Sequence, residues 1–115
     1  MRAGDRFHVD GVTCELGGET LHVVNLSLGG FYVATHRSPI RGQVIATRLC
    51  LPHGVTVNAW GRVAWVNGVE EPVHAALPPG CGIQTSRVSF ADKLAIVAAL
   101  RELTIATPRT PAAAG

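Results

Sequence analysis

The sequence predicts an all-β domain, a small closed or nearly closed antiparallel barrel of five or six short strands, with one helix at its carboxyl end. Three observations carry that prediction. Apolar and polar residues alternate with period two between turn signals through residues 8–88. The period becomes helical after Ser89. The length, 115 residues, suits one core and is too short for two.

The elements follow in order. Residues 8–16 alternate loosely around Val9, Val12, Cys14 and Leu16, and Gly17-Gly18 marks a hairpin. Thr20 to Ser27 reads as a second strand, with His22, Val24, Leu26 and Leu28 on one face. Phe31 to Thr35 follows a double glycine as the third, and residues 43–51 form the fourth. Pro52-His53-Gly54 is turn chemistry. Beyond it Val55, Val57, Ala59, Gly61, Val63 and Trp65 alternate with Thr56, Asn58, Trp60, Arg62 and Ala64, the clearest strand in the chain. Gly61 is expected to mark a bulge or bend there, and alternation assigns Trp65 to the valine face. Residues 67–80 form a longer loop, and a sixth strand spans about residues 82–88.

Ser89 is an N-cap, with Asp92 three residues on. Phe90, Leu94, Ile96, Val97, Leu100 and Leu103 recur at helical spacing and are expected to pack on one end of the sheet. The expected domain is therefore residues 1–103: a flexible leader at 1–7, a barrel at 8–88 and a helix at 89–103. A Thr/Pro/Ala tail at 104–115 has no pattern to pack with.

Composition narrows the function classes. Apolar residues make up 47% and charged residues 16%, values that suit a compact fold and exclude wholesale disorder. No apolar run approaches a membrane span, and the amino end lacks the apolar segment of a secretory signal, so a cytoplasmic location without membrane insertion is expected. The net charge of +2 and six aromatic side chains (two Trp, one Tyr, three Phe) argue against a DNA- or RNA-binding barrel, which needs basic grooves and stacking rings. Three cysteines with no export signal are expected as free thiols. Cys50-Leu51-Pro52-His53 has ligand-like spacing but no second pair, so no metal site is expected. Asp and Glu are few and scattered, and no acid–base constellation emerges; the expectation is a binding protein, not an enzyme.

The residues that point to a ligand lie near the amino end. Arg2 and Arg6 place two guanidinium groups four residues apart in a leader without hydrophobic periodicity. Asn25 and Ser27 fall on one strand face and Leu26 and Leu28 on the other, and Gly29-Gly30 follows at once. Charged forks and a polar strand face ending in glycine suit a planar, phosphorylated ligand. A barrel this small fills its interior with side chains, so such a ligand belongs on the outside or at the rim. Trp60, sharing the outer face with Arg62, is the better candidate for a partner surface.

Arg-x-x-x-Arg followed about twenty residues later by Asn-x-Ser-x-x-Gly resembles the paired signature of PilZ domains. Gly29-Gly30-Phe31-Tyr32, Gly61-Arg62-Val63-Ala64-Trp65-Val66 and Cys81-Gly82-Ile83-Gln84 are similar to strands of that family, so the resemblance covers roughly residues 1–103. It implies a six-stranded barrel that binds cyclic di-GMP, a bacterial second messenger, with no other cofactor. It implies that Arg2 and Arg6 clamp guanine edges and phosphates, that Asn25 and Ser27 hold a guanine from the barrel side, and that Gly30 keeps the surface clear. Trp65 stands where some members place an aromatic against a guanine.

The chemistry fits these residue types: a guanidinium fork bonds guanine O6 and N7 together, or two phosphate oxygens. A charge-assisted hydrogen bond is worth roughly 1.5–3 kcal/mol, so loss of one arginine is expected to cost about tenfold or more in affinity. Met1 stands where many members carry a further basic residue, which favours one bound ligand over a stacked pair, and Asp5 beside Arg6 weakens the clamp. The resemblance implies a receptor or adaptor whose ordered leader changes docking to an effector protein controlling motility, exopolysaccharide or biofilm formation. The alternative is a PilZ-like interaction module that does not bind nucleotide.

Overall fold

The computed structural model describes residues 6–37, 39–70 and 72–106, with side chains to residue 103. Its strands are β1 (Phe7–His8), β2 (Thr13–Leu16), β3 (Glu19–Leu26), β4 (Gly30–Ala34), β5 (Val44–Cys50), β6 (Thr56–Asn67) and β7 (Gly80–Ser86), followed by helix α1 (Phe90–Ala106). Strands β2, β3, β4, β7, β6 and β5 each pair antiparallel with the next, and β5 returns to β2, so six strands close a barrel. The two-residue β1 extends the lane of β2 alongside β3, pairing Phe7 with Leu26 and His8 with Asn25. Asp10-Gly11 interrupts that lane between the buried Val9 and Val12.

Local chemistry explains much of this. Gly17 and Gly18 have φ of +59° and +82°, the left-handed pair that a two-residue hairpin between Leu16 and Glu19 requires. Val57, Gly61 and Val63 are buried while Thr56, Asn58, Trp60 and Arg62 are exposed, as alternation predicts. Ser89 Oγ accepts the Asp92 N–H at 3.0 Å and caps α1. The core joins Val9, Val12, Cys14, Val23, Leu26, Phe31, Val33, Leu49, Val57, Val63 and Ile83 from the barrel with Ile96, Ala99 and Leu100 from the helix.

Several expectations are corrected. A bulge at Val24 shifts the phase of β3, pairing Val23 with Val33 but Asn25 with Tyr32. Val23 and Leu26 therefore point inward, while His22 is exposed. The irregularity in β6 falls between Val63 and Trp65, not at Gly61. Gly61 stays in the ladder, its missing side chain giving room to the Ile83 and Thr47 methyl groups. On α1, Phe90 and Leu94 are 76% and 54% exposed, because the face that caps the barrel runs through Ile96, Ala99 and Leu100. The helix also continues to Ala106, beyond the expected end at residue 103; residues 107–115 of the expected tail lie outside the described residues. Among the described residues no helix is long and apolar enough to cross a membrane.

Candidate ligand-binding face

One row of residues crosses the outside of the barrel. His8 opposes Asn25, Asn25 opposes Tyr32, Tyr32 opposes Gly82, and Gly82 opposes Trp65. Directly opposed residues of antiparallel strands project to the same side. Phe7, Leu26, Phe31 and Ile83, the neighbouring row, belong to the inner side, and all four are core residues or pack against the core. Pairing of β1 with β3 carries Arg6 to the edge of the outer row, where its Nη1 donates to Asn25 Oδ1 at 2.9 Å. The leader arginine and the strand asparagine, nineteen positions apart, thus meet at the surface. Arg2 lies outside the described residues.

Ser27 and Gly30 do not join that outer polar face. Ser27 is only 4% exposed, and both its N–H and its hydroxyl donate to the Gly30 carbonyl, at 2.8 and 3.1 Å. These bonds close the β3–β4 hairpin. A Cβ on Gly30 would sit 3.1 Å from the Ile83 carbonyl carbon and closer still to its oxygen, so glycine lets β4 lie against β7. The two residues shape the hairpin that sets Asn25 beside Tyr32.

Trp65 departs from its expected position. The extra residue at Ala64 reverses the phase of β6, so Val66 packs toward the core and Trp65 turns outward. Its ring lies over Gly82, where a Cβ would come within 2.5 Å of Trp65 Cδ1 and 3.0 Å of Cε2. It stacks on Tyr32 with centroids 5.2 Å apart and planes at 30°. Tyr32 is fully buried beneath, its hydroxyl donating to the Pro78 carbonyl. Burial raises the phenol pKa above its ordinary value, against a smaller lowering by Asn67. Asn67, 2% exposed, donates to the His74 carbonyl and accepts the His74 N–H, both at 2.9 Å. These contacts strap residues 74–78 across the Trp65 end of the row.

Sequence reasoning missed Tyr32, Gly82 and Asn67. The available signal was glycine at 80 and 82, alternate positions on one strand face, which clears a floor for a ring.

The face combines an exposed guanidinium, an amide and a half-buried indole. One Arg6 N–H is held by Asn25, and among the described residues no side chain is seen to hold the other guanidinium donors, which a ligand can use. That set suits a planar, acceptor-rich anion. The void beneath the helix, lined by Leu26, Phe31, Leu49, Val57 and Ile96, is about 10 Å³, the size of one water at most, and is too small for such a ligand.

The two buried thiols, Cys14 and Cys81, are poor nucleophiles. Burial pushes Cys14 up to about 12 and Cys81 up to about 11, which suppresses the reactive thiolate at neutral pH. Among the described residues no group of three or more His, Cys, Asp or Glu converges as a metal site would need.

No family model matches the chain, and no curated protein matches it by sequence. Among solved structures it is similar to the crystal structure of an uncharacterized Legionella protein, with a TM-score of 0.55 over 91% of this chain and 99% of that one. The two are 13% identical, so the likeness is one of fold.

Proposed function

We propose that the chain is a cyclic di-GMP receptor of PilZ type, in which the leader arginines and the outer face around Asn25 hold the nucleotide between them. The observation that carries this reading is the Arg6–Asn25 contact, which joins the two sequence motifs at one surface point. The half-buried Trp65 indole, in the same row, supports it by offering a stacking surface for a guanine.

In this reading Arg6 leaves the Asn25 amide, or shares it, to engage a guanine edge or phosphate, and Asn25 turns its donor and acceptor to the base. Ser27 and Gly30 act through the hairpin they close. Ligand binding orders the leader, which alters the surface available to an effector; no chemical step is involved.

Calorimetric titration with cyclic di-GMP tests it, with GTP as control. The expected result is saturable binding of one ligand per chain, weakened about tenfold or more by Arg6→Ala. Absence of binding in the unmodified protein refutes the receptor reading and leaves a PilZ-like interaction module.

A further inference from the structure

Strands β5, β6 and β7 present a second outer surface, distinct in its residues from the Arg6–Asn25 seat. At its centre Trp60 is 47% exposed, and Val44 is 62% exposed. Ladder register brings them together: Ala46 opposes Trp60, which opposes Ser86, and one row over Val44 opposes Arg62. Val44 is thus a diagonal neighbour of Trp60, and Arg62 is two residues along the same face. The small Ala46 and Ser86 leave a shallow groove on each side of the indole. One is lined by Val44, Ser86 and Arg87, the other by Ala46, Asn58 and Arg87.

The charge that β5, β6 and β7 themselves bring to this surface has one sign. Strands β5, β6 and β7 contain no Asp or Glu, but carry Arg48 and Arg62, and Arg87 follows directly. Arg48 is held by Glu15 and Asn58. Arg62 and Arg87 are exposed, and their guanidinium groups have no ion pair or hydrogen-bond partner among the described residues. Arg87 holds a left-handed backbone at φ +58°, an unfavourable conformation for a residue with a side chain, at the point where it lines both grooves.

We propose that the Trp60–Val44–Arg62–Arg87 surface docks an acidic protein segment that carries an apolar anchor side chain. The anchor packs on Trp60 and Val44, and carboxylates on either side meet Arg62 and Arg87 through charge-assisted hydrogen bonds. Tryptophan and arginine are the side chains that dominate such contacts. A second copy of this chain is disfavoured, because face-to-face pairing would set these arginines against one another. Added-strand pairing is excluded by the closed barrel, which offers no free edge here. Single-stranded nucleic acid needs successive stacking rings, and Trp60 is the one aromatic on the outer face of this patch. The proposal names the docking surface that an adaptor reading requires, and it stands equally if the chain binds no nucleotide.

The test uses the full chain, a synthetic peptide of alternating Asp and Glu with a central Leu-Phe pair, the same peptide with Ser at both apolar positions, and a short oligothymidylate. Binding is read by fluorescence anisotropy of the labelled probe and by amide shift mapping. Expected is saturable binding of the Leu-Phe peptide, with shifts grouped at residues 44–46, 58–62 and 84–87. Trp60→Ala should weaken it about tenfold or more, and Arg62→Gln with Arg87→Gln should flatten its salt dependence. Thermal midpoints confirm that the exposed-site variants fold. Cyclic di-GMP titration of the same variants should match the unmodified protein, which separates failure of this proposal from failure of the receptor reading. Absence of saturable binding, equal affinity for the Ser peptide, equal affinity of Trp60→Ala, or tighter binding of oligothymidylate overturns it.

Discussion

Gly82→Ala is the substitution that most directly interrogates the outer row. The added Cβ would fall within 2.5 Å of Trp65 Cδ1, so the indole has to leave its place over β7. Forcing one extra carbon into a packed contact costs about 1–3 kcal/mol. Losing the Tyr32–Trp65 stack adds about 0.5–1.5 kcal/mol. Against this, alanine restricts the unfolded chain and returns about 0.4–1 kcal/mol. The net expectation is a loss of about 2 kcal/mol, or roughly 8 °C in midpoint for a domain of this size. Urea unfolding followed by fluorescence and far-UV dichroism measures it. The decisive comparison is a double-mutant cycle with Trp65→Ala. The three nearest neighbours of the added Cβ are all atoms of the Trp65 ring, so with the ring gone Gly82→Ala should become neutral or slightly stabilising. An equal loss in both backgrounds would refute the claim that Gly82 exists to seat Trp65, and would point to backbone conformation instead.

Two other expectations concern the barrel itself. Gly30→Ala should destabilise by about 2–4 kcal/mol and Gly61→Ala by only about 1 kcal/mol, since the first Cβ strikes the Ile83 backbone carbonyl while the second meets methyl tips of Ile83 and Thr47, 2.6 and 2.8 Å away, that can shift; paired urea midpoints rank them, and the reverse order would contradict the register of β4 on β7. Cys14 and Cys81 stay protonated in the fold to about pH 12 and 11, whereas unfolded thiols ionise near 9. The folded state therefore holds more protons above pH 9, so stability should be full below that pH and fall by up to about 1.4 kcal/mol per pH unit per thiol as pH rises toward 11. Replacing both thiols with Ala should remove most of that slope, as read from urea midpoints between pH 8.5 and 10.5 under reducing conditions.

Gly17-Gly18, the alternation from Val57 to Val63 and the Ser89 cap were legible because each is a local rule: a turn conformation, a pleat and a capped helix end involve only neighbouring residues. The candidate site was half legible. Arg6 and Asn25 stood out by residue type, and the antiparallel course of β1 along β3 unites them. Polar side chains at period two suggest an exposed, ligand-facing Ser27, yet its hydroxyl closes the hairpin. On α1 the apolar residues spread too widely around the helix for spacing to choose a buried stripe; the barrel mouth chose Ile96, Ala99 and Leu100 over Phe90 and Leu94.

The class of this protein is written in the residue pattern: five or six short strands alternating with turn residues, and a capped terminal helix, bury their apolar faces together in a small closed or nearly closed barrel. Which side chains reach the outer face depends on how the strands meet in three dimensions. A bulge inserts a single residue, leaves no compositional mark and inverts the inside–outside assignment of the residues that follow. Val24 and Ala64 are such residues. They arise from the need of twisted strands to close a ring, and through the second of them Trp65 comes to lie on Tyr32 instead of among the valines.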